Sequence, residues 1–205
     1  MKSAIVLSGG KSSRFGENKA LKRLKGKPLF RYVIDNLPKS EYEVVLVIGL
    51  EDRIDKFSRF LSSSITITKD DLEGCGPLAG ILSGLKMVSS TYTAILPCDS
   101  PFIKPEVVDF LFKNVRRHEA IIPKWPNGYI EPLHAVYKVK PALKAAREAI
   151  DRKELYIVDM IKRLKTVKYV STNRIKRYDN KLLTFFNVNT KSDFEKAKRI
   201  ISKRN

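Results

Sequence analysis

A buried strand that runs directly into a glycine-rich, basic loop lies at the N-terminal end of this sequence. The apolar residues 4–7 are typical of a strand in a parallel sheet that is covered on both faces. The strand stops at Ser8-Gly9-Gly10, where glycine lets the backbone bend without a Cβ in the way. In α/β folds a loop of this kind, at the carboxyl edge of the sheet, binds phosphates through its N–H groups.

The basic side chains of the loop favour the same interpretation. Lys11, Arg14 and Lys19 would offset the charge of a polyphosphate, whereas an ordinary strand–helix turn has no need of them. The loop lacks the spacing of a P-loop, Gly-x-x-x-x-Gly-Lys-Ser/Thr, and that of a dinucleotide-type turn, Gly-x-Gly-x-x-Gly. We therefore predict a phosphate-binding loop of another class.

Length and composition indicate one domain over residues 1–205. No apolar run approaches the length of a membrane span, and the N-terminus lacks the pattern of a signal peptide, so we expect a cytoplasmic protein. The only two cysteines, Cys75 and Cys98, do not form a disulfide framework or a four-cysteine zinc site. Cys98 ends an apolar run, where it is expected to be a small core residue.

The net charge of +18, from 40 basic and 22 acidic residues, indicates anionic ligands, nucleic acid or a thermophilic surface. Eight basic residues and one acidic residue lie between positions 161 and 181. No RNA-binding aromatic motif, zinc finger or helix-turn-helix pattern accompanies them. The sequence therefore favours a basic surface with anionic small-molecule ligands over a nucleic-acid partner.

Strand and helix patterns alternate along the chain, which predicts a three-layer α/β/α sandwich around a mostly parallel, Rossmann-like sheet. Strands are expected at residues 4–7, 43–49, 65–68, 120–123 and 167–170, and in a run that ends at Asp99. Helices are expected to begin with Pro28 at the first position, and to cover residues 52–61, 104–116, 141–150 and 156–164. A further helix starts near Pro77, and Thr190 is the expected N-cap of the last one.

Asp99 is the second chemical centre of the sequence. A carboxylate at the carboxyl end of a central parallel strand lies over the same crevice as the N-terminal loop. One or two carboxylates plus substrate phosphates are the usual ligands of Mg²⁺. The alternative, a helix N-cap, would suit Ser100 better than Asp99. We predict that Asp99 holds Mg²⁺.

Two later segments contain further polar side chains. Asn187 and Asn189 alternate in an extended stretch, so their amides point the same way, either toward the metal and phosphates or into the turn before the last helix. His134 is a lone histidine, and such a residue is more often structural than functional.

Several motifs together resemble one family of small nucleotidyltransferases. Residues 7–19 match L-x-G-G-x-S-x-R-M/F-G-x-x-K, and residues 26–29 match its following G-K-P-L. An acidic residue, Asp70, precedes G-P-L-A-G-I at residues 76–81, and C-D-x-P-F occupies residues 98–102. E-P-L-H-A-V-Y at residues 131–137 and F-x-N-V-N-T at residues 185–190 complete the series. The double glycine is similar to that of the molybdenum cofactor guanylyltransferases.

The resemblance implies transfer of GMP from GTP to the phosphate of a molybdopterin-type cofactor, with release of pyrophosphate and with Mg²⁺ as cofactor. It implies that Arg14, Lys19 and Asp99 are catalytic and that Asp99 is the metal ligand. Substrate contacts would come from His134, Asn187 and Asn189, and the product would pass to molybdenum-insertion proteins or apo-molybdoenzymes. The nucleotide-binding residues it implies are Leu7, Ser8, Gly9, Gly10, Lys11, Ser12, Lys19, Asp70, Gly76, Pro77 and Asp99.

One departure affects the base preference. The family often has N-A-N-R after the second strand, whereas this sequence has Ile48-Gly49-Leu50-Glu51-Asp52. Related activities therefore stay open: guanylyl transfer to cobinamide phosphate, cytidylyl transfer to molybdopterin, or activation of a sugar 1-phosphate. A non-catalytic nucleotide sensor and an RNA-binding protein are the alternatives from other classes.

Overall fold

The computed structural model describes residues 2–9, 18–38, 40–70, 72 and 76–203. Its strands are β1 Lys2–Leu7, β2 Arg23–Leu24, β3 Lys27–Pro28, β4 Tyr42–Ile48, β5 Ile65–Lys69, β6 Tyr92–Pro97, β7 Ala120–Lys124, β8 Ala135–Lys138 and β9 Val167–Ser171. Its α-helices are α1 Leu29–Asp35, α2 Asp55–Ser58, α3 Gly76–Met87, α4 Pro105–Asn114, α5 Val139–Asp151, α6 Ile157–Lys162, α7 Thr172–Ile175 and α8 Lys191–Ser202. Short 3₁₀ helices cover Lys19–Leu21 and Leu183–Phe185.

The central sheet has the strand order β5-β4-β1-β6-β8-β7-β9. The pairs β1–β4, β1–β6, β4–β5 and β7–β9 are parallel, whereas β8 is antiparallel to both of its neighbours. The prediction of a mostly parallel sheet is thereby confirmed. β2 and β3 form a separate two-stranded hairpin.

Helices cover both faces of the sheet, which confirms the three-layer sandwich. On one face α1 and α4 bury side chains such as Phe30 and Val107 against β1, β4 and β6. On the other face α3 and α5 bury side chains such as Ile81 and Ala142. The central strands β1, β4 and β6 are buried along nearly their whole length because both of their faces are removed from water. Within the described residues, we find no helix with the length and apolar character needed to cross a bilayer.

Two predicted helix boundaries were wrong. Pro28 is not the first helical residue but the last residue of β3, because it pairs with Arg23 in the hairpin and the N–H of Leu29 donates to the carbonyl of Lys22 at 3.1 Å. The helix expected over residues 52–61 is the shorter α2. A hydrogen-bonded turn from Gly49 to Asp52 precedes it, and the N–H groups of Phe60 and Leu61 make turn-like bonds to residues three positions earlier.

The sheet topology places one crevice at the carboxyl ends of β1 and β6. The next strand of the central sheet along the chain is β4, which lies on one side of β1, and β6 lies on its other side. Adjacent strands whose connections leave in opposite directions form a topological switch point, which is where open α/β sheets bind ligands. The glycine-rich loop follows β1, and Asp99 follows β6.

Gly84 is expected to be the position in α3 that least tolerates a side chain. A Cβ there would lie 2.5 Å from Cγ2 of Ile5 and 3.1 Å from Cγ2 of Val47, because the helix packs directly on β1 and β4. Overpacking of this kind costs ~1–3 kcal/mol, which exceeds the ~1 kcal/mol that alanine gains over glycine in a helix. We therefore expect Gly84→Ala to lower the free energy of unfolding, measured by urea denaturation.

Gly80→Ala is the matched control. A Cβ at Gly80 would lie 3.4 Å from Cδ2 of Leu7, which is an ordinary van der Waals contact. We expect this variant to be as stable as the wild type or slightly more stable. Equal stability of the two variants would show that the contact of Gly84 with the sheet is not limiting.

Candidate active site

Lys19 connects three segments that lie far apart in the sequence. Its Nζ donates to the carboxylate of Asp99 and, at 2.7 Å, to Oδ1 of Asn189. The side chains of Lys19 and Asp99 are each 17% exposed, so the ion pair is only partly screened by water. The structure thus brings together a cation from the N-terminal loop, a carboxylate from the end of β6 and an amide from the stretch before α8.

Asp99 is held by the backbone on both sides of the crevice. The N–H of Cys98 donates to the carbonyl of Leu7 at 3.0 Å, which joins the turn after β6 to the end of β1. The carbonyl of Asp99 accepts from the N–H of Val188 at 2.9 Å. Cys98 is a buried core residue, as predicted, and burial, reinforced by the neighbouring Asp99 charge, raises the pKa of its thiol to about 12.

The segment that carries Asn189 is fixed by the start of α8. The N–H groups of Asn189 and Thr190 donate to Oδ2 of Asp193 at 3.2 and 2.9 Å, and Thr190 Oγ1 accepts from the N–H of Asp193 at 3.1 Å. This is a capping box, and Thr190 is the N-cap, as predicted. The cap therefore holds the backbone of Asn189 while its side chain reaches Lys19.

The turn after β1 leads from the buried core to the surface. The side chain of Leu7 is buried in the core, and the N–H of Ser8 donates to the carbonyl of Val47 at 2.7 Å. Oγ of Ser8 is buried and has no hydrogen-bond partner among the described residues. Gly9 is exposed at the end of this turn. The predicted residues Gly10, Lys11, Ser12 and Arg14 lie outside the described residues.

Asp70, Gly76 and Pro77 lie at the same edge of the sheet. The N–H of Asp70 donates to the carbonyl of Ile48 at 2.9 Å, and its Oδ1 accepts from the N–H of Leu72 at 3.2 Å. Gly76 opens α3 with a φ of +57°, a conformation that favours glycine, and both Gly76 and Pro77 are exposed. All three residues therefore lie on the side of the crevice formed by β1, β4 and β5.

Asp52 is a residue of this edge that the sequence analysis did not assign to the site. Its carboxylate accepts from Nδ2 of Asn18 at 2.7 Å and from the N–H of Gly49 at 2.9 Å. Asn18 in turn caps the 3₁₀ helix that begins with Lys19. Asp52 thus ties the end of the glycine-rich loop to the end of β4, in the segment where the family motif is absent. The sequence feature that could have indicated this role is a carboxylate three residues after Gly49, the glycine that follows β4.

His134 lies behind the crevice and not on its surface. Its ring is 2% exposed, with Nε2 3.0 Å from Oγ of Ser100 and Nδ1 3.5 Å from Oε2 of Glu131. Ser100, which is fully buried, also donates to Oδ1 of Asn187. Any effect of His134 on a substrate therefore runs through Ser100 and Asn187.

The oxygen donors of the crevice suit a metal ion that arrives with its substrate. Asp99 supplies a carboxylate, and Asn189 supplies an amide oxygen beside it. No group of three or more His, Cys, Asp or Glu residues that could hold a metal occurs in the part of the chain that the structure describes. One carboxylate completed by substrate phosphates is a common arrangement for Mg²⁺.

The chain is similar to known proteins over most of its length. Residues 4–167 match the model of the MobA-like NTP transferase domain family. A probable molybdenum cofactor guanylyltransferase of Methanosarcina mazei is 35% identical over 199 residues, which cover 95% of this chain and 88% of the relative. Another, from Pyrococcus horikoshii, is 35% identical over 192 residues, covering 93% of this chain and 95% of the relative.

A solved structure is also similar over its whole length. The molybdopterin-guanine dinucleotide biosynthesis protein A of Archaeoglobus fulgidus superposes with a TM-score of 0.84 at 33% identity, covering 99% of this chain and 100% of that one. Fold, motifs and overall sequence therefore agree, and the chain belongs to the MobA-like NTP transferase domain family.

Proposed function

We propose that this protein transfers GMP from GTP to the phosphate of a molybdopterin-type cofactor and releases pyrophosphate. The observation that carries the proposal is the convergence of Lys19, Asp99 and Asn189 at the topological switch point of the sheet. The relatives named molybdenum cofactor guanylyltransferase, at 35% identity, support this choice of donor and acceptor. A single nucleotidyltransferase domain over residues 1–205 is part of the same proposal.

The proposed reaction needs charge neutralisation more than it needs a base. The acceptor is a phosphate monoester with a second pKa near ~6, so it is largely ionised at neutral pH. Its oxygen attacks the α-phosphorus of GTP, the bond from the α-phosphorus to the bridging oxygen breaks, and pyrophosphate leaves with that oxygen. Lys19 would hold phosphate oxygens and stabilise the charge that develops on the leaving group. Arg14 and Lys11, from the same loop, would add to this positive field.

We assign Mg²⁺ to Asp99, with Asn189 as a second oxygen donor beside it. When bound, the ion would neutralise phosphate charge and make the α-phosphorus more electrophilic. The Lys19 ammonium, which contacts both of these side chains, would keep them oriented toward the triphosphate. The donor set fits a hard cation, because both atoms are oxygens.

The nucleoside part of GTP is assigned to the other side of the crevice. Backbone groups at Ser8, Gly9 and Gly10 would approach the nucleotide closely, and Ser12 would add a hydroxyl. Asp70 would contact the guanosine, next to Gly76 and Pro77 at the exposed start of α3. Transfer of the product to molybdenum-insertion proteins or apo-molybdoenzymes belongs to the same proposal. A cytoplasmic location stays a prediction.

Calorimetric titration of GTP, CTP, ATP and UTP, with and without Mg²⁺, tests the donor. We expect selective binding of GTP that Mg²⁺ strengthens, and pyrophosphate release only when a molybdopterin acceptor is added. Selective binding of CTP would replace the proposal by cytidylyl transfer. Failure of every nucleotide to bind would overturn it.

A further inference from the structure

A chain of polar groups, buried at Ser100 and His134, runs from the turn after β7 to the edge of the crevice. Trp125 Nε1 donates to Oε1 of Glu131 at 2.6 Å, and Oε2 of Glu131 lies 3.5 Å from Nδ1 of His134. His134 Nε2 is 3.0 Å from Oγ of Ser100, and Ser100 donates to the side chain of Asn187. The chain ends at a residue whose neighbour, Val188, is hydrogen-bonded to the backbone of Asp99.

The far end of this chain is a fixed negative charge. Burial acts to raise the pKa of Glu131, but the neighbouring His134 ring and the hydrogen bond from Trp125 together outweigh it, so the pKa lies below its ordinary value. The His134 ring also packs edge-on against Phe185, with the ring centroids 5.3 Å apart. In this packing Nδ1 of the imidazole faces the Glu131 carboxylate at 3.5 Å and Nε2 faces Ser100 at 3.0 Å.

The hydroxyl of Ser100 determines which end of the Asn187 amide can face a ligand. A serine hydroxyl has a single proton, and here it is donated to Oδ1 of Asn187. Ser100 Oγ must therefore accept from Nε2–H of His134. Since Oδ1 of Asn187 is occupied, its Nδ2 is the end left for a ligand, and Nδ2 has no hydrogen-bond partner among the described residues. The side chain of Asn187 is partly exposed beside Asp99.

We propose that Asn187 is a hydrogen-bond donor to a phosphoryl oxygen, and that His134 and Glu131 are positioning residues that hold its amide in this orientation through Ser100. The inference rests on the proposed function for the identity of the anion, a phosphate of GTP or of the acceptor. It assigns the two asparagines of the motif opposite roles. Asn189 presents an oxygen, which contacts Lys19, whereas Asn187 presents an N–H group.

Asn187→Asp distinguishes a donor from a metal ligand. The substitution keeps the shape and replaces the N–H group by a second carboxylate oxygen, which would repel a phosphate. We expect tripolyphosphate, titrated without metal, to bind about 10- to 100-fold more weakly than to the wild type, as for loss of a hydrogen bond to a charged group. Unchanged or tighter binding, or a lower Mg²⁺ requirement for GTP, would show that the oxygen faces the crevice and would overturn the proposal.

A double-mutant cycle tests the positioning residues. His134→Phe keeps the ring packing on Phe185 and removes both nitrogens, and Asn187→Ala removes the amide. We expect each to reduce kcat/KM by a similar factor, and the double variant to be no worse than Asn187→Ala alone, because both remove the same contact. His134→Gln, which retains a donor within reach of Ser100, should recover part of the loss. If the losses in kcat/KM from the two single variants multiply in the double variant, and His134→Gln recovers no activity, then His134 is only structural.

The kinetic parameter that changes shows whether Asn187 contacts a phosphate of GTP or the phosphate of the acceptor. A weaker GTP affinity with an unchanged KM for the acceptor would place Asn187 on the triphosphate, and the reverse would place it on the acceptor phosphate. The tripolyphosphate titration needs no turnover. It therefore still tests the donor role if the wild type proves to use another nucleotide, whereas the proposed function is tested by the wild type alone.

Discussion

Asp99→Asn is expected to reduce kcat for guanylyl transfer by on the order of 10²- to 10⁴-fold, the range typical of a group that acts on transition-state charge. The amide keeps the shape of the side chain but loses the charge that holds the Lys19 ammonium and that would hold Mg²⁺. Steady-state release of pyrophosphate, measured across a Mg²⁺ titration, checks the effect. Excess Mg²⁺ should not restore the rate fully.

Asp109→Asn is the matched control for this variant. Asp109 also pairs with a lysine, since Nζ of Lys2 lies 2.7 Å from its Oδ1, but this pair lies at the start of β1, the opposite edge of the sheet from Asp99. We expect its kcat to equal that of the wild type, with a lower free energy of unfolding. Wild-type, Mg²⁺-dependent turnover by Asp99→Asn would contradict the metal assignment.

Lys19→Met is expected to lower kcat/KM for GTP by on the order of 10²- to 10³-fold, comparable to removing one preorganised donor from a site that stabilises developing charge. The loss has two physical parts. The triphosphate loses a cation, and the partly buried Asp99 carboxylate loses its partner and would repel the incoming anion. Steady-state kinetics should show a raised KM for GTP together with a reduced kcat.

Lys2→Met removes the corresponding cation from the pair with Asp109 and should leave both kinetic parameters unchanged. Lys19→Arg keeps the charge in a larger, planar group, so we expect it to recover only part of the activity. Wild-type kcat/KM in Lys19→Met would remove Lys19 from the catalytic assignment.

The sequence predicted which residues meet at the site better than it predicted the contacts that hold them there. Lys19 and Asp99 were expected to meet because both follow buried parallel strands, and such strands end at a common edge. For Asn189 the sequence left two positions open, and the structure shows its contact with Lys19. The fold class followed from the same alternation of strands and helices. The catalytic and metal-binding roles of these residues stay predictions.

What the sequence could not predict depends on contacts between distant segments. The short motif that contains His134 gives no sign that Ser100 and Glu131 enclose the ring, because this requires the turns after β6 and β7 to pack together. The bridge from Asp52 to Asn18 is likewise a contact across 34 positions of the chain. The first residue of α1 was missed for a similar reason, since the pairing of β2 with β3 outweighs the usual preference for proline within the first turn.

The reversed direction of β8 has a consequence for how this enzyme class can diversify. Because β8 runs opposite to β6 and β7, the connection from Lys124 to Ala135 lies at the edge of the sheet that carries Asp99. The exposed tip of that connection, residues 126–129, can change in length or sequence while β1, β4 and β5 keep their register and Glu131 and His134 keep their place. Evolution can therefore alter the surface near Asp99 by exchanging a loop and not by rebuilding a sheet.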